Sequence, residues 1–294
     1  MEAIESTPVA AAAIERTHAG RIRLVSHRGR NYSVVLTLGV LCVLTVVAFV
    51  RMDFGTVDLG RALAQTWSDF CAMMFQPALD PPLGAAHFSW AKVAESTLVT
   101  IAVTVLCTII SAIVSFFLAL AASENLSNPL VSNAVKGFVA IIRAIPTILW
   151  VLVFTVAIGL GSEAAVLGIS FHSIAYLTKG YSESIEEIDA DVIEALSASG
   201  ASFWQIVFQA ICPATITKQL SWTFIRFEIN FANAVAVGAF AGAGGIGFQL
   251  YQAGNYYYNL HEVGVIVYVC LAVSFALEFI SVRLRRRYII DSDN

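Results

Sequence analysis

The chain has 294 residues, of which 58% are hydrophobic and 13% charged, and its formal net charge is −4. Soluble domains carry about 25% charged residues, so this composition excludes a soluble enzyme. Apolar runs of about eighteen residues or more, enough to cross a hydrocarbon core of about 30 Å as helices, recur along the chain and define an integral membrane protein.

Residues 1–32 form an arm that is Ala-rich at first and then carries Arg16, Arg21, Arg23, Arg28 and Arg30. The apolar run Ser33–Val50 ends directly at Arg51 with no small-residue cleavage site after it, which predicts an uncleaved first span. It opens a region, 33–95, whose remainder is an extracytoplasmic loop. Within that loop Leu59, Leu63, Trp67, Phe70 and Met74 recur at helical spacing after Asp58, a candidate N-cap, and predict a helix lying at the outer interface with Trp67 as anchor.

The core occupies 96–282. No residue between Ser96 and Ser123 is charged, which gives the second span. A polar turn with Asn125, Asn128 and Pro129 leads to the third, from about Lys136 to Leu160, interrupted by Arg143 and Pro146. A Gly159/Gly161 turn leads to a short fourth span, Ala164 to Thr178, and 179–218 is a long polar loop. The fifth span runs from about Ile216 to Gly238 and the sixth from Val263 to Val282, ahead of a basic tail, 283–294. Six spans put both termini on one side, and the arginines at both ends predict that this side is cytoplasmic. The expected fold class is an all-α membrane protein of about six transmembrane helices with a cytoplasmic loop, in a cell (inner) membrane. The five cysteines, Cys42, Cys71, Cys107, Cys212 and Cys270, stand singly with no C-x-x-C spacing. Neither a disulfide framework nor a zinc site is expected, and no cofactor or nucleic-acid partner either.

Gly242, Gly244 and Gly247 have the G-x-G-x-x-G spacing of a dinucleotide-binding turn, and Glu262 follows where a ribose-binding acid would sit. That mechanism needs a strand before the motif and a soluble βαβ unit around it; here the glycines follow a membrane helix and emerge on the outer face. Glycines at such a place permit a positive-φ turn or close helix contact. A functional version is an outer gate shaped by Gly242, Gly244, Gly245 and Gly247.

The polar loop is organised. Ile185, Ile188, Val192 and Leu196 share a helical face opposite Glu183, Glu187, Asp191 and Glu194, and Ser184 with Glu187 has capping-box spacing. Gly200 stands where a helix end wants a left-handed residue. Ser202 with Gln205 offers a second capping box, opening a short helix that exposes Phe203, Trp204, Val207 and Phe208 before Pro213 ends it. The acidic loop would be repelled by anionic lipid, so a protein groove for the short helix fits better.

EALSASGASFWQIVFQAICP, residues 194–213, resembles the EAA-x3-G-x9-I-x-L-P loop of importer-type ABC permeases, matching at Glu194, Ala195, Gly200 and Pro213 and departing at Leu196, Ala210 and Cys212. RAIPT (143–147), RFEIN (226–230) and GAGGIGF (242–248) extend the resemblance over about 92–288, toward the permease subunit of phosphonate ABC importers. The resemblance implies a transport subunit, not an enzyme: a homodimer of this chain with two ATP-binding cassette ATPase subunits and an extracytoplasmic phosphonate-binding protein. It implies coupling to the ATPase through Glu194, Ala195, Gly200, Phe203, Trp204 and Pro213. It implies a pathway at Arg143, Pro146, Arg226, Glu228 and Asn230. Arg143 and Arg226 fall at similar depth, and Glu228 is expected to pair with Arg143 or with an adjacent span, because residues two apart on a helix do not meet.

No G-x-x-x-x-G-K-[S/T] occurs in the chain, so ATP hydrolysis is expected in a partner. One alternative is an importer permease for another small solute such as methionine. A second is an intramembrane serine hydrolase built on Ser170 and His172, but two residues apart on a helix they point to different sides, with Ser170 expected to bond its own backbone. A gradient-driven transporter predicts internal repeats, and the two halves show none.

Overall fold

The computed structural model describes residues 14–16, 22–24, 28–51, 58–78 and 89–289. Arg21, Asp53, Asp80 and the last residues of the basic tail lie outside the described residues. The chain divides into two compact units, 1–65 and 66–294. The first holds a short antiparallel hairpin, β1 (Ile14–Arg16) and β2 (Ile22–Leu24), followed by α1 (Arg28–Arg51), the predicted first span. It ends inside α2 (Leu59–Phe75), whose first turn Asp58 caps as expected: the Gly60 and Arg61 N–H groups donate to Asp58 Oδ1 at 3.0 and 3.2 Å.

The second unit is all helical among its described residues. Its elements are α3 (Trp90–Ala122), α4 (Pro129–Ala144), α5 (Thr147–Ile158), α6 (Ser162–Glu186), α7 (Ala190–Ala198), α8 (Phe203–Ile206), α9 (Cys212–Ala241), α10 (Gly245–Tyr251) and α11 (Leu260–Ile289). Helix α6 is central, packed against α3, α4, α5 and α9. Its contact with α3 is a ladder of small polar side chains: Cys107 Sγ reaches Val166 O at 3.7 Å, Ser111 Oγ donates to Ser170 O at 3.2 Å, and Ser115 Oγ to Ile174 O at 2.8 Å. Small residues let two backbones approach closely in a membrane. The constant offset along this ladder makes α3 and α6 parallel.

Parallel helices require one crossing between them, and α4 with α5 supplies it. The two are bent by 90° at the Ile145–Pro146 junction, because a residue before proline is pushed out of the helical region, and Ile145 has φ −97° and ψ 125°. Ile142 of α4 packs with Ala175, and Val151 of α5 lies against Gly168, so the broken segment climbs along α6 in two steps. The third span is therefore two helices rather than one. Helix α9 runs antiparallel to α6, and α11 antiparallel to α9.

Three helices (α1, α3 and α11) and two bent pairs are long and apolar enough to cross a membrane by composition. The fourth expected span is not among them, and α6 reaches Glu186, eight residues beyond the predicted end at Thr178. Its polar residues are tolerated because neighbouring helices cover them: Ser170, Ser173, Thr178 and Ser182 are all buried. The same extension overturns the first capping box. Ser184 is buried and its hydroxyl donates to Gly180 O at 2.8 Å, and the helix restarts at Ala190 with Asp189 as N-cap.

Pro213 does not end the short helix either. The chain is helical without a break from Phe203 to Ala241, through a π turn over Val207–Ile211 in which the Cys212 N–H donates to Val207 O. Proline lacks an N–H and its ring crowds the carbonyl four residues back; the wider turn just ahead of it removes that clash.

Candidate functional site

Helices α3, α6 and α9 meet at a buried polar network. Arg226 of α9 is 2% exposed, with Nε donating to Ser173 Oγ at 2.9 Å and an Nη 3.0 Å from His172 Nδ1. Its guanidinium carbon stands 5.0 Å from the centroid of the Tyr176 ring. Ser173 Oγ also lies 2.8 Å from Asn230 Oδ1, and Asn230 Nδ2 donates to Thr108 Oγ1 of α3 at 3.0 Å. Arg226 and Asn230 are one helical turn apart and therefore share the α6-facing side of α9. Among the described residues no carboxylate pairs with Arg226. An unpaired buried cation is costly, and here neutral acceptors and an aromatic face stabilise it.

Glu228, two residues from Arg226, turns the other way. With Phe231, Ser274, Leu277 and Glu278 it lines a cavity of about 300 Å³ between α9 and α11. The expected pairing of Glu228 with Arg143 is not formed, since α9 directs the two charged side chains of RFEIN to opposite neighbours. Arg143 instead lines, with Lys136, Thr178, Lys179, Glu183 and Glu186, a cavity of about 310 Å³ between α4 and α6. There Lys136 is held by Glu124 at 2.6 Å and Glu186 at 2.9 Å, and Lys179 by Glu183 at 3.2 Å. Arg143 is exposed and in no ion pair among the described residues, and Pro146 is exposed at the α4–α5 break.

Of the expected pathway residues the structure brings Arg226 and Asn230 together and leaves Arg143 on a separate cavity, and it adds His172, Ser173, Tyr176 and Thr108, which sequence reasoning did not place beside Arg226. The signal was present: His172, Tyr176, Lys179 and Glu183 stand at i, i+4, i+7 and i+11, one stripe of a helix. The Ser170–His172 alternative finds no support. His172 turns to Arg226, while Ser170 Oγ is buried beside the Cys107 thiol and does not bond its own backbone.

The glycine segment breaks α9 from α10. Gly242, Gly244 and Gly245 have φ of +62°, +74° and +71°, and the Ile246 N–H donates to Thr100 Oγ1 of α3 at 2.9 Å. A Cβ on Gly245 would lie 2.4 Å from that hydroxyl, and one on Gly247 would lie 1.8 Å from Val235 O. The segment is a tight turn followed by backbone-to-backbone packing.

In the loop, Ile193, Ile206, Val207 and Ile211 are buried in a cluster with Leu177, Tyr181 and Ile185, which fixes α7 and α8 onto the end of α6. Glu194, Ala195, Gly200 and Pro213 are exposed, and Gly200 has the expected positive φ, +88°. The second capping box forms, with the Ser202 N–H donating to Gln205 Oε1 at 2.7 Å. Phe203, Trp204 and Phe208 stay 44%, 50% and 61% exposed, with the Trp204 and Phe208 rings stacked at 5.8 Å.

Broken and parallel helices around a polar seam, with an ordered loop carrying exposed aromatics, define a transport subunit of the importer-type ABC permease fold. The family described as binding-protein-dependent transport system inner membrane component matches residues 111–289, and the chain belongs to it. It is 31% identical over 214 residues to the phosphate-import permease protein PhnE of Mycolicibacterium smegmatis, covering 72% of this chain and 38% of that protein, well under half of the relative's length. To the phosphite transport system permease protein PtxC of Stutzerimonas stutzeri it is 30% identical over 209 residues, 71% of this chain and 74% of that one. The fold matches the MetNI methionine ABC transporter in an inward-facing form (TM-score 0.61, 20% identity, 68% of this chain and 99% of the other). It also matches an alginate ABC transporter complex (TM-score 0.56, 12% identity, 89% and 98%). At those identities the likeness is one of fold.

Proposed function

We propose that the chain forms the translocation pathway of an ATP-driven importer for phosphonate or a related phosphorus oxyanion. On this reading it works as a homodimer with two ATPase subunits and an extracytoplasmic binding protein, in the inner membrane with both termini cytoplasmic. The ATPase docks on Glu194, Ala195, Gly200, Phe203, Trp204 and Pro213, and alternating access is driven through that loop. The oxyanion passes the seam of Arg143, Pro146, Arg226 and Asn230, and the glycine turn at Gly242, Gly244, Gly245 and Gly247 shapes the outer gate. Glu228 faces α11, on the far side of α9 from this seam.

The observation that carries the reading is Arg226, a buried guanidinium with no carboxylate partner among the described residues. An anion carrying nearly two negative charges at neutral pH, as a phosphate monoester does, is attracted by that uncompensated charge in transit. Relatives named for phosphate and phosphite transport favour a phosphorus oxyanion over methionine. The test is uptake into proteoliposomes holding the full complex. Arg226→Gln is expected to lower uptake by at least about tenfold while the ATPase still co-purifies, and Arg226→Lys to recover part of it, since charge remains but the planar fork is lost. Uptake unchanged in Arg226→Gln would place the pathway elsewhere.

A further inference from the structure

We infer that His172 is the hydrogen-bond donor that meets the oxyanion, and that Arg226 is the positioning residue that prepares it; this rests on the phosphorus-oxyanion reading above. The argument begins with the tautomer. Arginine has donors only. An Arg226 Nη stands 3.0 Å from His172 Nδ1, so Nδ1 must be the acceptor and the ring proton must sit on Nε2. A second proton on the ring would set two donors face to face, beside a guanidinium. His172 is thus held as a neutral ring whose Nε2–H points away from Arg226.

That Nε2–H has no partner among the described residues, and His172 is only half-buried. On α6 it begins the stripe that continues through Tyr176, Lys179 and Glu183 toward the Arg143 cavity. Arg226, by contrast, is almost completely covered by the very α6 residues it bonds, so a passing anion meets His172 and Arg143 before it meets Arg226. The Arg226 guanidinium is in turn fixed through Ser173, Asn230 and Thr108, a line of hydrogen bonds crossing from α9 to α6 and on to α3. A neutral donor aimed by a fixed cation favours an oxyanion yet binds it without forming a tight ion pair, which suits a site that must release its cargo.

Two substitutions separate this role from a structural one. His172→Gln places an amide donor near the Nε2 position, whereas His172→Asn places an acceptor near the Nδ1 position, where Arg226 needs it. In proteoliposomes with the full complex and binding protein loaded with methylphosphonate, His172→Gln is expected to retain uptake within about threefold. His172→Asn is expected to lose about tenfold, the size of one hydrogen bond to a charged group. Uptake kept by Asn and lost by Gln, or unchanged in both, would overturn the inference and leave His172 as a mere acceptor for Arg226. Should both variants fall alike, ¹⁵N-histidine spectra of the wild-type complex decide. His172 Nδ1 should be unprotonated and the Nε2 signal should move when methylphosphonate is added; a protonated Nδ1, or an unmoved Nε2, overturns it. If the wild-type complex imports none of methylphosphonate, phosphite and phosphate, the oxyanion reading itself fails and this inference falls with it.

Discussion

Gly244 and Gly247 belong to one short motif yet are glycines for different reasons. At Gly244, φ is +74° and ψ −157°, a backbone region almost reserved for glycine, and a Cβ would have open space, so an alanine there costs only that backbone strain, about 1–3 kcal/mol. At Gly247 a Cβ would sit 1.8 Å from Val235 O, a contact no side-chain rotation relieves. Gly247→Ala is therefore expected to abolish the α9–α10 packing and sharply lower the thermal unfolding midpoint of the purified chain, while Gly244→Ala shifts it by a few degrees. Midpoints that move equally would mean that α10 does not pack as described. If Gly244→Ala slows uptake with its midpoint nearly intact, the turn also serves the gate.

At the scale of elements, the loop between α6 and α9 is a rigid lever because its inner face is core. Ile193, Ile206 and Ile211 bury into the end of α6, and only the outer face, with Phe203, Trp204 and Phe208, is left for a partner. The turn that aims α8 depends on Gly200 at φ +88°, and a β-branched residue is a severe misfit there. Gly200→Val is expected to leave the chain inserted and folded but to cut recovery of the ATPase subunit in co-purification at least about tenfold, with uptake falling alike. Full recovery of the ATPase with Gly200→Val would show that docking does not use this loop. The π turn before Pro213 belongs to the same lever, since it carries the helix direction from α8 into α9 without a break.

For the whole molecule, the order of antiparallel and parallel contacts among α3, α4–α5, α6, α9 and α11 fixes that α2 and the α6–α9 loop lie at opposite ends of the bundle. Met73 and Met74 of α2 contact the start of α11 at Gly264 and Tyr268, whereas α7 and α8 cover the end of α6. Native cysteines report on these two ends. With cytoplasmic termini, Cys71 of α2 faces out and Cys212, at the start of α9, faces in. A membrane-impermeant thiol reagent on intact cells is expected to label Cys71 and to reach Cys212 only after the membrane is opened; labelling of Cys212 from outside reverses the orientation.

Read alone, the sequence determined what depends on composition and short-range spacing. The apolar runs gave the spans other than the fourth, Asp58 and Ser202 gave caps, Gly200 gave a left-handed turn, and residues 194–213 gave the family, because each of these is written in one continuous stretch of chain. What it left undecided depends on neighbours distant in the chain. Helix α6 extends past Thr178 and carries buried Ser170, Ser173, Thr178 and Ser182 because α3, α4, α5 and α9 cover them, a protection no window of residues reveals. Glu228 turns from Arg143 to α11, and His172 turns to Arg226, because helix rotation is set by packing between helices and not by the order of residues along one of them. The tertiary structure alone decided which of the charged side chains share a site: contacts between residues more than fifty positions apart chose Arg226, His172, Ser173 and Asn230 and left Glu228 outside.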